Sequence, residues 1–283
     1  MTGHVTAPVA APADELPTWV RLLLAPNPGP MALDGTNTWL LRAPGSAETV
    51  VVDPGPLDEA HLARIVEAGP VAAVLITHGH PDHTDGSRRL ADLLGGVPVR
   101  AVDPAHTVDA EPLGAGDPAG AWPVLKAAGL VIEPIPTPGH TADSVCLLVE
   151  HEGDRAILTG DTILGRGTTV IAHPDGNLAD YLASLARLAT YRGVTALPGH
   201  GPALADCGAA ADYYLAHRQG RLAQVQAAVD AGDRTPAEVV ARVYADVDPV
   251  LWWAAEWSVR AQLEYLGVPV GGSDGSEARL DQP

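Results

Sequence analysis

Residues 77–83 read Thr-His-Gly-His-Pro-Asp-His, which sets three imidazoles and one carboxylate at 78, 80, 82 and 83. Imidazole nitrogen and carboxylate oxygen are the usual ligands of zinc and similar divalent cations. Gly79 and Pro81 are turn residues, and a tight turn gathers side chains that a strand would send to opposite faces. Three further turns carry one ligand-type residue each: Pro138-Gly139-His140-Thr141, Thr159-Gly160-Asp161-Thr162 and Pro198-Gly199-His200-Gly201. Each follows an apolar run of strand length. Core packing does not call for four such turns in one chain. His78, His80, Asp82, His83, His140, Asp161 and His200 are therefore the candidate metal ligands. The chemistry such a set supports is hydrolysis by water activated on a metal.

Those turns need a scaffold. Apolar runs at 20–24, 38–42, 49–52, 71–77 and 97–102 predict strands, with helices at about 57–68 and 84–94 between them. Residues 103–121 have no period and predict a long loop over the site. Strands follow at 130–135, 144–150, 155–159 and 194–197, with a helix at 179–190 that aligns Tyr181, Leu182, Leu185 and Leu188. Beyond about residue 203 strand signals vanish, and helical runs cover 205–231, 236–245 and 249–266. The resulting plan is a flexible lead-in at 1–18, a catalytic domain at 19–216, a helical module at 217–270 and a disordered tail at 271–283. Alternating strands and helices imply an α/β domain, with each candidate ligand in a loop at a strand end.

Over residues 19–202 the motifs resemble those of the metallo-β-lactamase superfamily, and five of them occur in the same order. The resemblance implies an αβ/βα four-layer sandwich. It also implies two Zn2+ ions, although iron or manganese suits the same ligands. By the same resemblance His78, His80 and His140 hold one ion, Asp82, His83 and His200 the other, and Asp161 bridges both. Asp82 would also be catalytic, orienting the attacking water or taking its proton. Asp53 matches the first motif, is not a ligand in the family, and is expected to support the loops. Lactamases generally lack an aspartate where Asp161 stands. The resemblance therefore points to phosphodiesterases, glyoxalase-II-type thioesterases and lactonases rather than to β-lactam hydrolysis. The segments APNPGPMALDGTNTWLL, GTTVI at 167–171 and HRQGRL resemble the β-lactamase-like protein 2 group. Members of that group carry a winged-helix-like module after the sandwich, and their best-known activity is cleavage of single-stranded RNA.

Composition limits the partners. The formal charge is −18, which repels nucleic acid and anionic membrane at long range. The helical module holds five arginines (218, 221, 234, 242, 260) against seven acids (230, 233, 238, 246, 248, 256, 264). Double-stranded DNA is not an expected partner. The expected substrate is single-stranded RNA, with a small-molecule thioester as the alternative and a non-catalytic binding protein as a reading from another class. Trp252, Trp253 and Trp257 stand at helical spacing and predict packing of the module onto the sandwich. His4, His61, His106, His151, His173 and His217 read as surface or packing residues. Of these His173 is the candidate for the pocket rim, and Arg218 is the candidate anion contact. No apolar run is long enough to cross a membrane. The lack of a signal-like start, together with only two cysteines, predicts a cytoplasmic, reducing location. Near-absent lysine and absent phenylalanine match GC-rich bacterial coding.

Overall fold

The structure, a computed structural model, describes residues 12–114, 122–171 and 173–269. The expected tail at 271–283, most of the lead-in and the end of the 103–121 loop lie outside the described residues.

Two five-stranded sheets face each other. The first holds β1 (Val20–Leu24), β2 (Asn37–Leu41), β3 (Thr49–Val52), β4 (Val71–Leu75) and β5 (Val99–Arg100) in that order. The second holds β6 (Leu125–Ala127), β7 (Leu130–Pro136), β8 (Val145–His151), β9 (Asp154–Gly160) and β10 (Thr195–Pro198), again as neighbours in sequence order. In the first sheet the β3–β4 and β4–β5 pairs are parallel. In the second only β9–β10 is parallel. Because β7 and β9 each run antiparallel to β8, they point the same way.

The continuous apolar strands are explained by burial on both faces. In β3, Val50 and Val52 enter the core between the sheets while Val51 faces the outer core. In β8, Val145, Leu147 and Val149 face inward and Cys146 outward. Helices α1 (Glu59–Glu67) and α3 (Ser87–Leu93) cover the first sheet through Leu62, Ile65 and Leu90. Helix α4 (Leu178–Leu188) covers the second through Tyr181, Leu185 and Leu188. Helix, sheet, sheet and helix make the four-layer αβ/βα sandwich that the motifs implied.

Three features were not legible in the apolar pattern. The run predicted as a strand over 71–77 leaves the sheet at Leu75. Residues Pro81–Thr84 form a short helix, α2, so Asp82 and His83 project from a helical turn. Strand β6 has only three residues and too little pattern to read.

The C-terminal region is helical: α5 (Cys207–Asp230), α6 (Pro236–Val243) and α7 (Trp252–Tyr265). The expected domain boundary after residue 216 falls in the middle of α5, which runs 24 residues without a break. Its first half packs Cys207, Ala210, Ala211 and Tyr214 on the second sheet. Its second half gives Val225 and Ala228 to a separate small core with Val239, Val240, Val259 and Leu263. One helix therefore belongs to both cores. A Thr235–Glu238 capping box, with Pro236 inside it, starts α6. Among the described residues this module carries no strand. The tryptophans differ from expectation. Trp252 packs into the module's own core, while Trp253 and Trp257 meet edge to face at 4.9 Å, with Trp253 exposed. The reason is that Ala255, Val259 and Leu263 form the buried face of α7, leaving 253 and 257 off it. No helix among the described residues is long and apolar enough to cross a membrane.

Candidate metal centre

The parallel strands set the site. Strands β3, β4, β7, β9 and β10 end at one edge of the sandwich. Just past those ends stand Asp53, His78, His140, Asp161 and His200. Val145 N donates to Thr77 O at 2.9 Å and joins the two sheets at this edge. The seven candidate ligands converge there. His78, His80 and His140 form one group, Asp82, His83 and His200 another, and Asp161 joins His78 and His83 in a third.

The inward atoms are close. His80 Nδ1 lies 3.0 Å from His78 Nε2 and 3.1 Å from His140 Nε2. His200 Nε2 lies 3.3 Å from His83 Nε2 and 3.2 Å from Asp82 Oδ2. Asp161 Oδ2 sits between the groups, 3.4 Å from His200 Nε2 and 3.9 Å from His140 Nε2. Ligand atoms around a tetrahedral ion with bonds of about 2.0–2.1 Å stand about 3.3 Å apart.

Tautomers decide whether this cluster fits a cation. Thr77 Oγ1 donates to Asp53 Oδ2 at 2.7 Å, so it can only accept from His78 Nδ1 at 3.1 Å. His83 Nδ1 donates to Asp53 Oδ2 at 2.8 Å. His140 Nδ1 donates to Val170 O at 2.6 Å, and His200 Nδ1 to Gly35 O at 3.1 Å. In the neutral imidazole each outward N–H leaves a bare lone pair on the inward Nε2. Four lone pairs therefore face the same small volume. The buried Asp161 Oδ1 also has no hydrogen-bond partner. Lone pairs and an orphaned carboxylate oxygen repel one another unless cations lie between them, protons on His83 and His200 in the metal-free chain or metal ions in their place. The donor set thus fits divalent metal.

The charge balance divides the site. Burial and the neighbouring His80 press His140 down to about 4. Burial, with other imidazoles around it, holds His78 well below the usual range. For His83 burial opposes protonation, but Asp82, Asp53 and Asp161 outweigh it and lift the ring to about 9. For His200 burial is again outweighed, here by Asp161 and Asp82, which lift it to about 11. The carboxyls of Asp82 and Asp161 are held well below their ordinary range, because His83 and His200 overcome the cost of burial.

A prediction follows for the metal-free protein. Below pH 6.5 the unfolded chain protonates histidines that the fold keeps neutral, down to about 4 for His140, so acid favours unfolding. Above 6.5 the fold retains protons on His83 and His200 that the unfolded chain has lost. The stability they contribute is complete below 6.5 and drains as pH rises through about 9 for His83 and about 11 for His200. Melting temperatures of chelated protein should therefore peak near pH 6.5. Adding metal at neutral pH should displace the protons on His83 and His200 and flatten the alkaline decline. A melting temperature that climbs steadily from pH 7 to pH 9 without metal would contradict this assignment.

The turn glycines are explained by close approach. A Cβ on Gly199 would overlap Asp161 Oδ1 and stand 2.8 Å from His83 Cε1. A Cβ on Gly139, whose φ is +136°, would overlap the Cα of Tyr181.

Asp53 takes the supporting position. It is buried, and Oδ1 accepts from Thr77 N at 2.8 Å while Oδ2 holds Thr77 Oγ1 and His83 Nδ1. The two weaker candidates are both engaged with other groups. His173 Nε2 pairs with Glu264 of α7 at 3.4 Å. Arg218 is 5% exposed, with its guanidinium donating to Thr169 O, so it is not a surface contact for anions.

Sequence reasoning missed other neighbours. His106 Nε2 and Asp143 Oδ2 lie 2.9 and 3.1 Å from where a Cβ would stand on Gly79, beside the His78–His80 turn. His106 arrives from the 3-10 turn Pro104–His106 in the long loop. Thr36 Oγ1 donates to Asp82 Oδ2 at 2.9 Å and accepts from Asn27 Nδ2 at 2.9 Å. Asn37 Nδ2 donates to Pro198 O and Gly201 O and grips the His200 turn. The signal for Asn27, Thr36 and Asn37 was present in the turn-rich APNPGPMALDGTN segment. His106 belongs to the loop expected over the site, but nothing marked the residue itself.

The chain resembles known proteins over most of its length. The Metallo-beta-lactamase superfamily profile matches residues 31–200, and that of the Beta-lactamase associated winged helix domain matches 235–267. The Beta-lactamase-like protein 2 homolog of Caenorhabditis elegans is 30% identical over 276 residues, covering 90% of this chain and 86% of that one. The thioesterase pkgB of Emericella nidulans is 34% identical over 221 residues, covering 76% of this chain and 60% of that one. The crystal structure of a metallo-beta-lactamase family protein from Thermus thermophilus superposes with a TM-score of 0.70 at 25% identity, over 88% of this chain and 93% of that one.

Proposed function

The chain belongs to the metallo-beta-lactamase superfamily of hydrolases, and from that premise we propose that it hydrolyses an acyl thioester with two divalent cations, zinc by its ligand chemistry. The observation that carries the thioester reading is the engagement of the arginines in the C-terminal module. Arg218 is buried. Arg221 donates to Val243 O at 2.7 Å, and Arg234 to Val229 O at 2.7 Å. Arg242 pairs with Asp233 at 2.5 Å, and Arg260 with Glu256 at 3.7 Å. A module that tracks a phosphate backbone needs a face of available cations. With a chain charge of −18, an uncharged or compact thioester is the better match. The thioesterase relative supports the same direction. Single-stranded RNA, implied by resemblance to the β-lactamase-like protein 2 group, is the second reading, and the winged-helix match at 235–267 favours it.

Cations held by the seven candidate ligands would supply Lewis acidity, which would polarise the carbonyl and lower the pKa of water from about 15.7 toward about 7. The protein's own groups then have separate tasks. Asp82 has a side chain 32% exposed against 12% for Asp161, so Asp82 is the carboxylate placed to receive a proton from the attacking water. Thr36 and Asn27 hold that carboxylate in place. Water adds to the carbonyl carbon, the C–S bond breaks, and a carboxylate and a thiol leave.

The test is an assay of metal-loaded protein on acyl-glutathione, on an acyl-N-acetylcysteamine thioester and on single-stranded RNA. Thiol release without shortening of the RNA is expected. RNA cleavage without thiol release transfers the assignment to phosphodiesters, and no turnover of either substrate class sinks both readings.

A further inference from the structure

Three consecutive residues, Thr169, Val170 and Ile171, separate the candidate ligands from the C-terminal helices. Val170 O accepts the Nδ1 proton of His140 at 2.6 Å. Ile171 N donates to Ser258 Oγ on α7 at 3.3 Å. That carbonyl and that N–H are two ends of one planar peptide unit. Ser258 therefore grips one edge of the plane and His140 the other. The preceding carbonyl, Thr169 O, accepts from Arg218 Nη2 on α5. Thr169 Oγ1 turns the opposite way and donates to the backbone oxygen of Asp161. Thr169, Ile171, Ser258 and Arg218 are all buried.

Arg218 is unusual chemistry for such a place. A buried guanidinium is costly unless its charge and all its N–H groups are met. Here a carbonyl and the face of Tyr181, 5.2 Å from the guanidinium carbon to the ring centroid, meet it in part. Its Nε has no hydrogen-bond partner. Leucine or methionine would fill the same volume without that penalty. What they could not do is hold the Thr169 carbonyl.

We propose that Arg218, with Ser258, is a positioning residue of the metal centre. From the C-terminal helices it fixes residues 169–171, so that Val170 O keeps His140 in the tautomer whose Nε2 faces the metal, and metal affinity at the His78–His80–His140 position depends on it. The proposal rests on the two-metal reading. By linkage the dependence is reciprocal: metal bound at that position tightens the seating of α5 and α7.

The experiment uses the full chain and titrates Zn2+ against a competing chelator, with Co2+ absorption as a second readout of ligand geometry. Wild type is expected to bind two ions. Arg218→Met should lose about 10- to 100-fold in affinity for one ion and retain the other, the usual scale for removing a group that orients a metal ligand. Ser258→Ala should shift the same ion in the same direction. Arg218→Lys, which keeps a donor for Thr169 O, should recover part of the loss. Arg221→Met is the matched control. Arg221 lies one turn further along α5, over Tyr244 at 4.4 Å and bonded to Val243 O, and it grips the module core without reaching residues 169–171. It should lower the melting temperature and leave both affinities intact. Equal weakening by Arg218→Met and Arg221→Met would overturn the proposal, as would wild-type affinity in Arg218→Met. If Arg218→Met does not fold, unchanged affinity in Ser258→Ala and Arg218→Lys overturns it. A wild-type chain that holds no metal defeats the two-metal reading itself, and that result is distinct from the others.

Discussion

Asp161→Ala should abolish turnover, with a fall in kcat/KM of about 10^3-fold or more, the scale of losing several kcal/mol of charge stabilisation. Bound metal should fall to one ion or fewer. The reason is the position of this carboxylate. Oδ2 lies within 3.4 Å of His200 Nε2 and 3.9 Å of His140 Nε2, which belong to different groups. Oδ1 is buried without a partner. Among the candidate ligands no other oxygen faces both halves. The fold should tolerate the change, because the neighbouring chain is held through backbone atoms and through Tyr181, whose hydroxyl donates to Thr162 O at 2.7 Å. Asp161→Asn, with the same shape and no charge, should lose as much. Elemental analysis and a steady-state assay on the same preparation decide the matter. Two bound ions and intact turnover in Asp161→Ala would falsify the shared-ligand role.

The second large effect is expected at a residue that binds no metal. Asp53→Ala removes the acceptor for Thr77 N, Thr77 Oγ1 and His83 Nδ1. It leaves buried donors unmet and a buried ion pair broken, so a loss of about 3–5 kcal/mol in stability is expected. Asp53→Asn separates support of the fold from control of the imidazole. Its oxygen can still accept from Thr77 N. Its amide then presents hydrogens to His83 Nδ1, which must accept, so the ring proton moves to Nε2 and points into the metal site. Asn should therefore recover much of the melting temperature and little of the metal affinity. If Asn restores both, His83 is not controlled through its tautomer. Denaturant melts and chelator competition read the two quantities separately.

The candidate ligands were legible because each stands in or beside a Gly/Pro turn after an apolar strand, and such turns are local. The sandwich was legible for a similar reason, since the strand runs are continuous where both faces are covered. What escaped was set by contacts across long stretches of chain. His106 comes beside Gly79 only because the loop folds back. Arg218 reaches Thr169 across 49 residues, and nothing in HRQGRL says that its first arginine points inward. The expected domain boundary after residue 216 lies inside a helical run that was itself expected over 205–231. Along that run α5 exchanges one core for the other without a break. The helical turn at Pro81–Thr84 was hidden inside the ligand motif, where Pro81 reads equally well as a bend or as a helix start.

That shared helix has a mechanical meaning. At 24 residues it is a rod about 36 Å long, rooted in the sandwich and carrying the module on its far half. A rod clamped at one end has no joint. The outer helices cannot swing as a head on a tether. They are held by the beam and by the bond from Ile171 N to Ser258 on α7, and the beam's root lies against the sheet that carries His140, Asp161 and His200. A change in the pitch of that spar would therefore be felt at the metal edge, while a change on the outer face of the module would not.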